Sequence, residues 1–255
     1  MVRPILTYLL AFSALAAVGC KNARESALPL NSATDAPILL FNGTGTSRND
    51  VEAIERILDE RHLTYSLVNS AELNELSEAR LRSHRLLIIP GGNYIDMGTG
   101  LPPATMAKVR SAVQNGLNYL GICAGGLLAG DAIRNSNNFN LTNGVAFDFY
   151  AAVRRGVHKE AVAITGNGTP TLDQYWEDGP QFTGWGEVVA KYPDGTPAIV
   201  QAKCANGWVI LCGFHPEAPA NWRHGMHFRT PVADSNDYAA TLIRAALEGT
   251  RLPSY

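Results

Sequence analysis

Tyr119-Leu-Gly-Ile-Cys-Ala-Gly-Gly-Leu-Leu128 is a short apolar run that meets a cysteine, with small residues crowded on both sides of it. This is the pattern of a nucleophile elbow, a sharp strand-to-helix turn that lifts one reactive side chain above a sheet. Such a turn strains the backbone of its central residue, and bulky neighbours would clash with it. Gly121, Ala124, Gly125 and Gly126 meet that demand around Cys123. The helix that follows points free N–H groups and its positive dipole end at the sulfur, which favours thiolate over thiol. Taken alone, the turn is equally compatible with a buried structural cysteine.

Outward from the elbow, strand and helix alternate. Ile38-Leu-Leu-Phe41 reads as a strand covered on both faces, and Asn42–Thr46 as a loop. Ser47 then caps a helix, with Asp50 completing part of a capping box and Val51, Ile54 and Leu58 as its apolar stripe. Thr64–Val68 and Leu86–Ile89 follow as strands, the latter stopped by Pro90-Gly-Gly92. Pro103–Asn115 reads as a helix with Met106, Val109 and Val113 inward, and Tyr119–Ile122 as the strand entering Cys123. The alternation predicts an α/β fold with parallel strands and right-handed crossovers, whose site lies beyond the carboxyl ends of the strands.

The second half changes character. Asn135–Asn143 is an Asn-rich loop expected near the cleft mouth. Short strands at Ala161–Ile164, Glu187–Tyr192, Ala198–Cys204 and Trp208–Phe214 read as antiparallel additions to the same sheet. Asn236–Leu247 closes the chain as a helix capped by Ser235. Asn206-Gly207 is expected at a hairpin tip, setting Cys204 opposite Val209 and Cys212 opposite Gln201. Those two sulfurs then lie on opposite faces, so no bridge is expected and both are read as buried and inert.

Before the fold, Arg3 precedes the almost wholly apolar Ile5–Val18, and small residues end the run at Gly19-Cys20. Residues 1–19 read as a signal peptide, too short to span a bilayer comfortably. Cys20 after Gly19 resembles the lipobox of bacterial lipoproteins, which implies cleavage before Cys20 and diacylglycerol on its sulfur. Lys21 in place of an acidic residue points to the outer membrane, facing the periplasm, in a Gram-negative envelope. Residues 20–36 are then a polar tether and 37–255 the folded domain. The chain carries 21 Lys and Arg against 23 Asp and Glu with no basic stripe, so nucleic acid is not an expected partner. Gly43 and Gly45 form a lone G-x-G without the rest of a phosphate loop, and no cofactor is expected.

Phe214-His215-Pro216-Glu217 ends the Trp208 strand. A base at a strand end with a carboxylate two residues on is suited to set an imidazole against a thiolate and orient it from behind. His224-x-x-His227 has a common ligand spacing but no evident third ligand, so no metal is assigned. Tyr175, Trp176, Trp185 and Trp222 suit a cleft wall or the core equally well.

A G-x-C-x-G elbow joined to a later His-x-Glu resembles the class I glutamine amidotransferase-like superfamily. Phe41-Asn-Gly-Thr-Gly-Thr-Ser47, Ile88-Ile-Pro-Gly-Gly92, Leu120–Gly126, Asp178-Gly-Pro-Gln-Phe182 and His215-Pro-Glu217 narrow the resemblance. They are similar to the domain at the N-terminus of eukaryotic biotin–protein ligases, which also occurs alone in bacteria. The resemblance implies a flavodoxin-like three-layer sandwich, with Cys123 as nucleophile, His215 as base and Glu217 as its orienter. It implies an oxyanion hole made by the N–H groups of Gly92 and Ala124. Leu127 stands where many glutamine-using members carry a glutamine, and export would separate the chain from ATP-consuming synthetases. The expected activity is hydrolysis of a small amide or peptide-like substrate; the alternative is a non-catalytic binding or regulatory module on the same fold.

Overall fold

The computed structural model describes residues 36–132, 136–153 and 156–255, together with Met1. Apart from Met1, the expected signal peptide, Cys20 and all but the last residue of the tether lie outside that description. Among the described residues, no helix is long and apolar enough to cross a membrane.

The domain begins with β1 (Ile38–Phe41), α1 (Arg48–Glu60), β2 (Tyr65–Val68), α2 (Ser70–Glu75) and α3 (Glu78–Leu81). Next come β3 (Leu86–Ile89), α4 (Tyr94–Gly100), α5 (Pro103–Gln114), β4 (Asn118–Ile122) and α6 (Ala124–Ala129). The second half holds β5 (Asp148–Phe149), β6 (Lys159–Gly166), β7 (Leu172–Glu177), β8 (Pro180–Gln181) and β9 (Glu187–Lys191). It ends with β10 (Pro197–Cys204), β11 (Gly207–Cys212), a 3₁₀ turn (Ala220–Arg223) and α7 (Val232–Glu248).

Nine strands form one sheet in the order β2-β1-β3-β4-β11-β10-β9-β6-β7. The first five are parallel and the last four are added antiparallel. This is the flavodoxin-like order, in which the direction of strand addition reverses beside β1. Every residue of β1 and β3 is buried, because helices cover both faces. One core packs Ile38, Leu40, Ile88, Leu120 and Ile210 against α1 and α7. The other packs Leu39, Leu87, Ile89, Tyr119 and Leu211 against α4, α5 and α6. Side chains alternate across the sheet, so each strand feeds both cores.

Four readings are corrected. Strand β7 was not expected, because Asp173 and Gln174 interrupt its apolar run; Arg229 pairs with Asp173 at 3.0 Å and makes its burial tolerable. The hairpin turns at Ala205-Asn206, with Cys204 opposite Gly207 and Cys212 opposite Ile199. Gly207 serves a close approach instead of the turn, since a Cβ there would lie 2.3 Å from Val113 O. The shift spans two residues, so Cys204 and Cys212 still occupy opposite cores; both are free and buried. Helix α7 starts at Val232 with Pro231 at its N-cap, and Ser235 is buried inside the first turn. The described part of the Asn-rich loop anchors α6 through Asn138 Nδ2 donating to Leu127 O at 2.8 Å, and none of it borders the cleft.

Candidate active site

Cys123 sits between β4 and α6 with φ 49° and ψ −109°. A non-glycine residue rarely adopts that conformation, and the surroundings enforce it. Its N–H donates to Cys212 O at 2.8 Å, extending the β4–β11 ladder by one rung. The small neighbours are demanded by contact: a Cβ on Gly125 would lie 2.0 Å from Ile89 O, and one on Gly121 2.5 Å from Gly125 O. The Cys123 thiol donates toward Glu177 O at 3.7 Å. Helix α6 has only six residues. The dipole expected to act on the sulfur is therefore short, and a charged imidazole is the stronger field source available.

That imidazole is His215, placed just beyond β11. Its backbone N–H donates to Tyr175 O at 2.8 Å, and the rings of Tyr175 and Trp222 flank it at centroid distances of 5.8 and 5.9 Å. His215 Nδ1 donates to Glu217 Oε1 at 2.9 Å. This assigns the proton to Nδ1 and leaves Nε2 for proton exchange. Burial alone pushes His215 down, but its electrostatic interactions with the neighbouring acidic groups Cys123, Asp50 and Glu217 outweigh it and hold the imidazole well above its usual range.

The structure adds a residue that sequence reading assigned to another task. Asp50 Oδ1 also lies 2.9 Å from His215 Nδ1. Ser47 Oγ does accept from Asp50 N at 3.3 Å, as a cap should, but the reciprocal half of the capping box is missing. Gly91 O takes the Ser47 N–H at 3.0 Å, which frees the Asp50 carboxylate for His215. Gly91 permits the approach, since a Cβ there would lie 2.2 Å from Asp50 Oδ1 and 2.6 Å from His215 Cε1. No local pattern marks this, because the pairing spans elements far apart in the chain.

Gly92 (φ 141°) and Ala124 border the same cleft as Cys123 and His215. Neither of their N–H groups donates to a partner among the described residues. The cleft holds about 750 Å³ and is walled by Tyr175 and Trp222 as well as by polar groups including Asn93 and Lys159. Leu127 lines it, whereas Trp176 is fully buried in the core and Trp185 packs beside the opposite core. His224 reaches the cleft, but neither it nor His227 joins a metal-ligand group among the described residues. Asp50, His215 and Glu217 do have ligand atoms within 4.8 Å of one another. Both carboxylates approach the same ring atom, His215 Nδ1, at 2.9 Å.

A parallel sheet with a cysteine elbow and a histidine at adjacent strand ends is the fold of class I glutamine amidotransferases. Residues 36–246 match the family described as biotin-protein ligase, N terminal, and the chain belongs to that family. The pyridoxal 5′-phosphate synthase subunit PdxT of Pyrobaculum neutrophilum is 29% identical over 184 residues, covering 67% of this chain and 88% of that protein. A glutamine amido transferase structure from Methylobacillus flagellatus superposes with a TM-score of 0.53 at 14% identity, covering 87% of this chain and 98% of that one. A structure from Thermoplasma acidophilum, described as a GMP synthase subunit, gives 0.52 at 15% identity, covering 83% of this chain and 92% of that one.

Proposed function

We propose that the chain is an exported, membrane-anchored amidase or acyl hydrolase that uses Cys123, His215 and Glu217 on a small amide or peptide-like substrate. The observation that carries this reading is the meeting, in one cleft, of a cysteine on a strained elbow and an imidazole whose Nδ1 is held by carboxylate. The Cys123 thiolate attacks the amide carbon, and the carbonyl oxygen takes up the negative charge opposite the N–H groups of Gly92 and Ala124. Collapse breaks the C–N bond while His215 gives its proton to the departing nitrogen. Water then attacks the thioester, returns a proton to His215 and releases the acid, restoring Cys123.

The apolar Leu127 favours an amide other than glutamine, since it offers no hydrogen bond to a substrate amide or ammonium group. It also favours the second reading, a binding module whose chemistry has lapsed. Reactivity separates the two. Cys123 should take up iodoacetamide at near-neutral pH faster than an unactivated thiol, with His215→Ala slowing it, and small amides should release amine. Labelling at the rate of an ordinary thiol would leave the binding module. Anchoring is tested separately by a clickable fatty acid, which should label the wild type and not Cys20→Ser; an unlabelled wild type would end that part.

A further inference from the structure

Two carboxylates converge on one ring nitrogen that carries one proton. Glu217 Oε1 and Asp50 Oδ1 each lie 2.9 Å from His215 Nδ1, and all three side chains are 6% exposed or less. Only the Glu217 contact has hydrogen-bond direction; Asp50 Oδ1 and Glu217 Oε2 are buried without a hydrogen-bond partner. Two ionised carboxylates against a neutral imidazole would leave two buried charges uncompensated, which costs several kcal/mol per ion on the order of magnitude seen for buried ions. An imidazolium with one carboxylate and one carboxylic acid is internally neutral.

The surroundings decide which carboxylate keeps its charge. Asp50 stands in the first turn of the 13-residue α1, where the positive end of the helix favours an anion. Glu217 lies just after a strand end, with its side chain fully buried. The titration tendencies agree. Burial pushes Asp50 up, but the attraction of His215 and the hydrogen bonds around it hold it below its ordinary value. Burial pushes Glu217 up, and His215 offsets this only in part. Among the described residues, the titratable groups that also interact with His215 include Cys123 at the elbow, Cys212 on β11 and Tyr175 on β7, whose hydroxyl donates to Glu177.

We propose that Asp50 is a positioning residue for the Cys123–His215 pair: its ionised carboxylate holds His215 as imidazolium while Glu217 is its uncharged partner. This rests on the reading of Cys123 and His215 as a reactive pair. The test is the pH profile of iodoacetamide uptake, read by mass spectrometry at Cys123 in the folded protein. Asp50→Asn should lower the rate near pH 6 about tenfold, as for a shift of one pKa unit, and Glu217→Gln by no more than about threefold. Asp50→Glu should recover most of the loss. A profile for Asp50→Asn that tracks the wild type, or a larger loss in Glu217→Gln, overturns the assignment while leaving the reactive pair intact. A wild-type Cys123 no faster than a free thiol removes the pair itself and this proposal with it. If the Asp50 variants do not fold, carboxyl ¹³C NMR of the wild type near pH 7 decides: an ionised Asp50 beside a protonated Glu217 supports the proposal, and the reverse overturns it.

Discussion

A methyl group on Gly91 would stand 2.2 Å from one carboxylate oxygen of Asp50 and 2.6 Å from His215 Cε1. Gly91→Ala must therefore separate the two or displace its own loop, at about 1–3 kcal/mol typical of overpacking. The expected outcome is slower Cys123 alkylation together with a lowered urea midpoint, whereas an unchanged alkylation rate would show that Asp50 and His215 need not meet. Cys123, His215 and Glu217 were legible as residues because each carries a local signal: glycine crowding around a cysteine, and a carboxylate two positions after a histidine. Asp50 carries a local signal too, but it reads as helix capping. Its side chain turns to His215 because Gly91 O has already satisfied the Ser47 N–H.

At the scale of elements, α1 links the sheet to the site. Ser47→Ala removes the acceptor for Asp50 N and should cost about 1 kcal/mol, measured by urea unfolding. Because the same turn carries Asp50, alkylation of Cys123 should slow in parallel; a loss of stability with no change in alkylation would confine Ser47 to capping. Apolar runs such as Ile38–Phe41 and Leu86–Ile89 were readable because burial on both faces leaves little else for such a run to be. Strand β7 was not, since its Asp173 is made tolerable by Arg229, more than fifty residues later. That strand matters to the site, as it carries Tyr175 and Glu177 to the cleft.

The whole domain should register the cluster in its pH dependence of stability. Asp50 is held below 3.8, so its contribution is present above that pH and lost as pH falls through its folded-state value. His215 is held well above 6.5, so its contribution is complete below 6.5 and lost as pH rises through its folded-state value. Glu217, raised above 4.5, adds a cost that grows as pH rises from 4.5 through its own folded-state value. The cluster should therefore stabilise most between pH 3.8 and 4.5, where Asp50 contributes fully and Glu217 does not yet cost, with a decline above 4.5 and a further loss above 6.5 as His215 begins to count. In urea midpoints measured across pH, Asp50→Asn should flatten the acid limb and His215→Ala the alkaline limb. Parallel profiles in all three proteins would mean that these charges do not couple to folding.

The sequence by itself determined the α/β alternation, the elbow and the histidine–carboxylate segment, because hydrophobic period, glycine placement and short spacing are local properties. Tertiary structure decided the hairpin register, through the close approach of Gly207 to α5. It decided the meeting of Asp50, Gly91 and His215 as well, because that depends on where β1, β3 and β11 end in one sheet. The charge state of such a buried group is set by its neighbours in space, and β11 reaches β3 only through β4 between them.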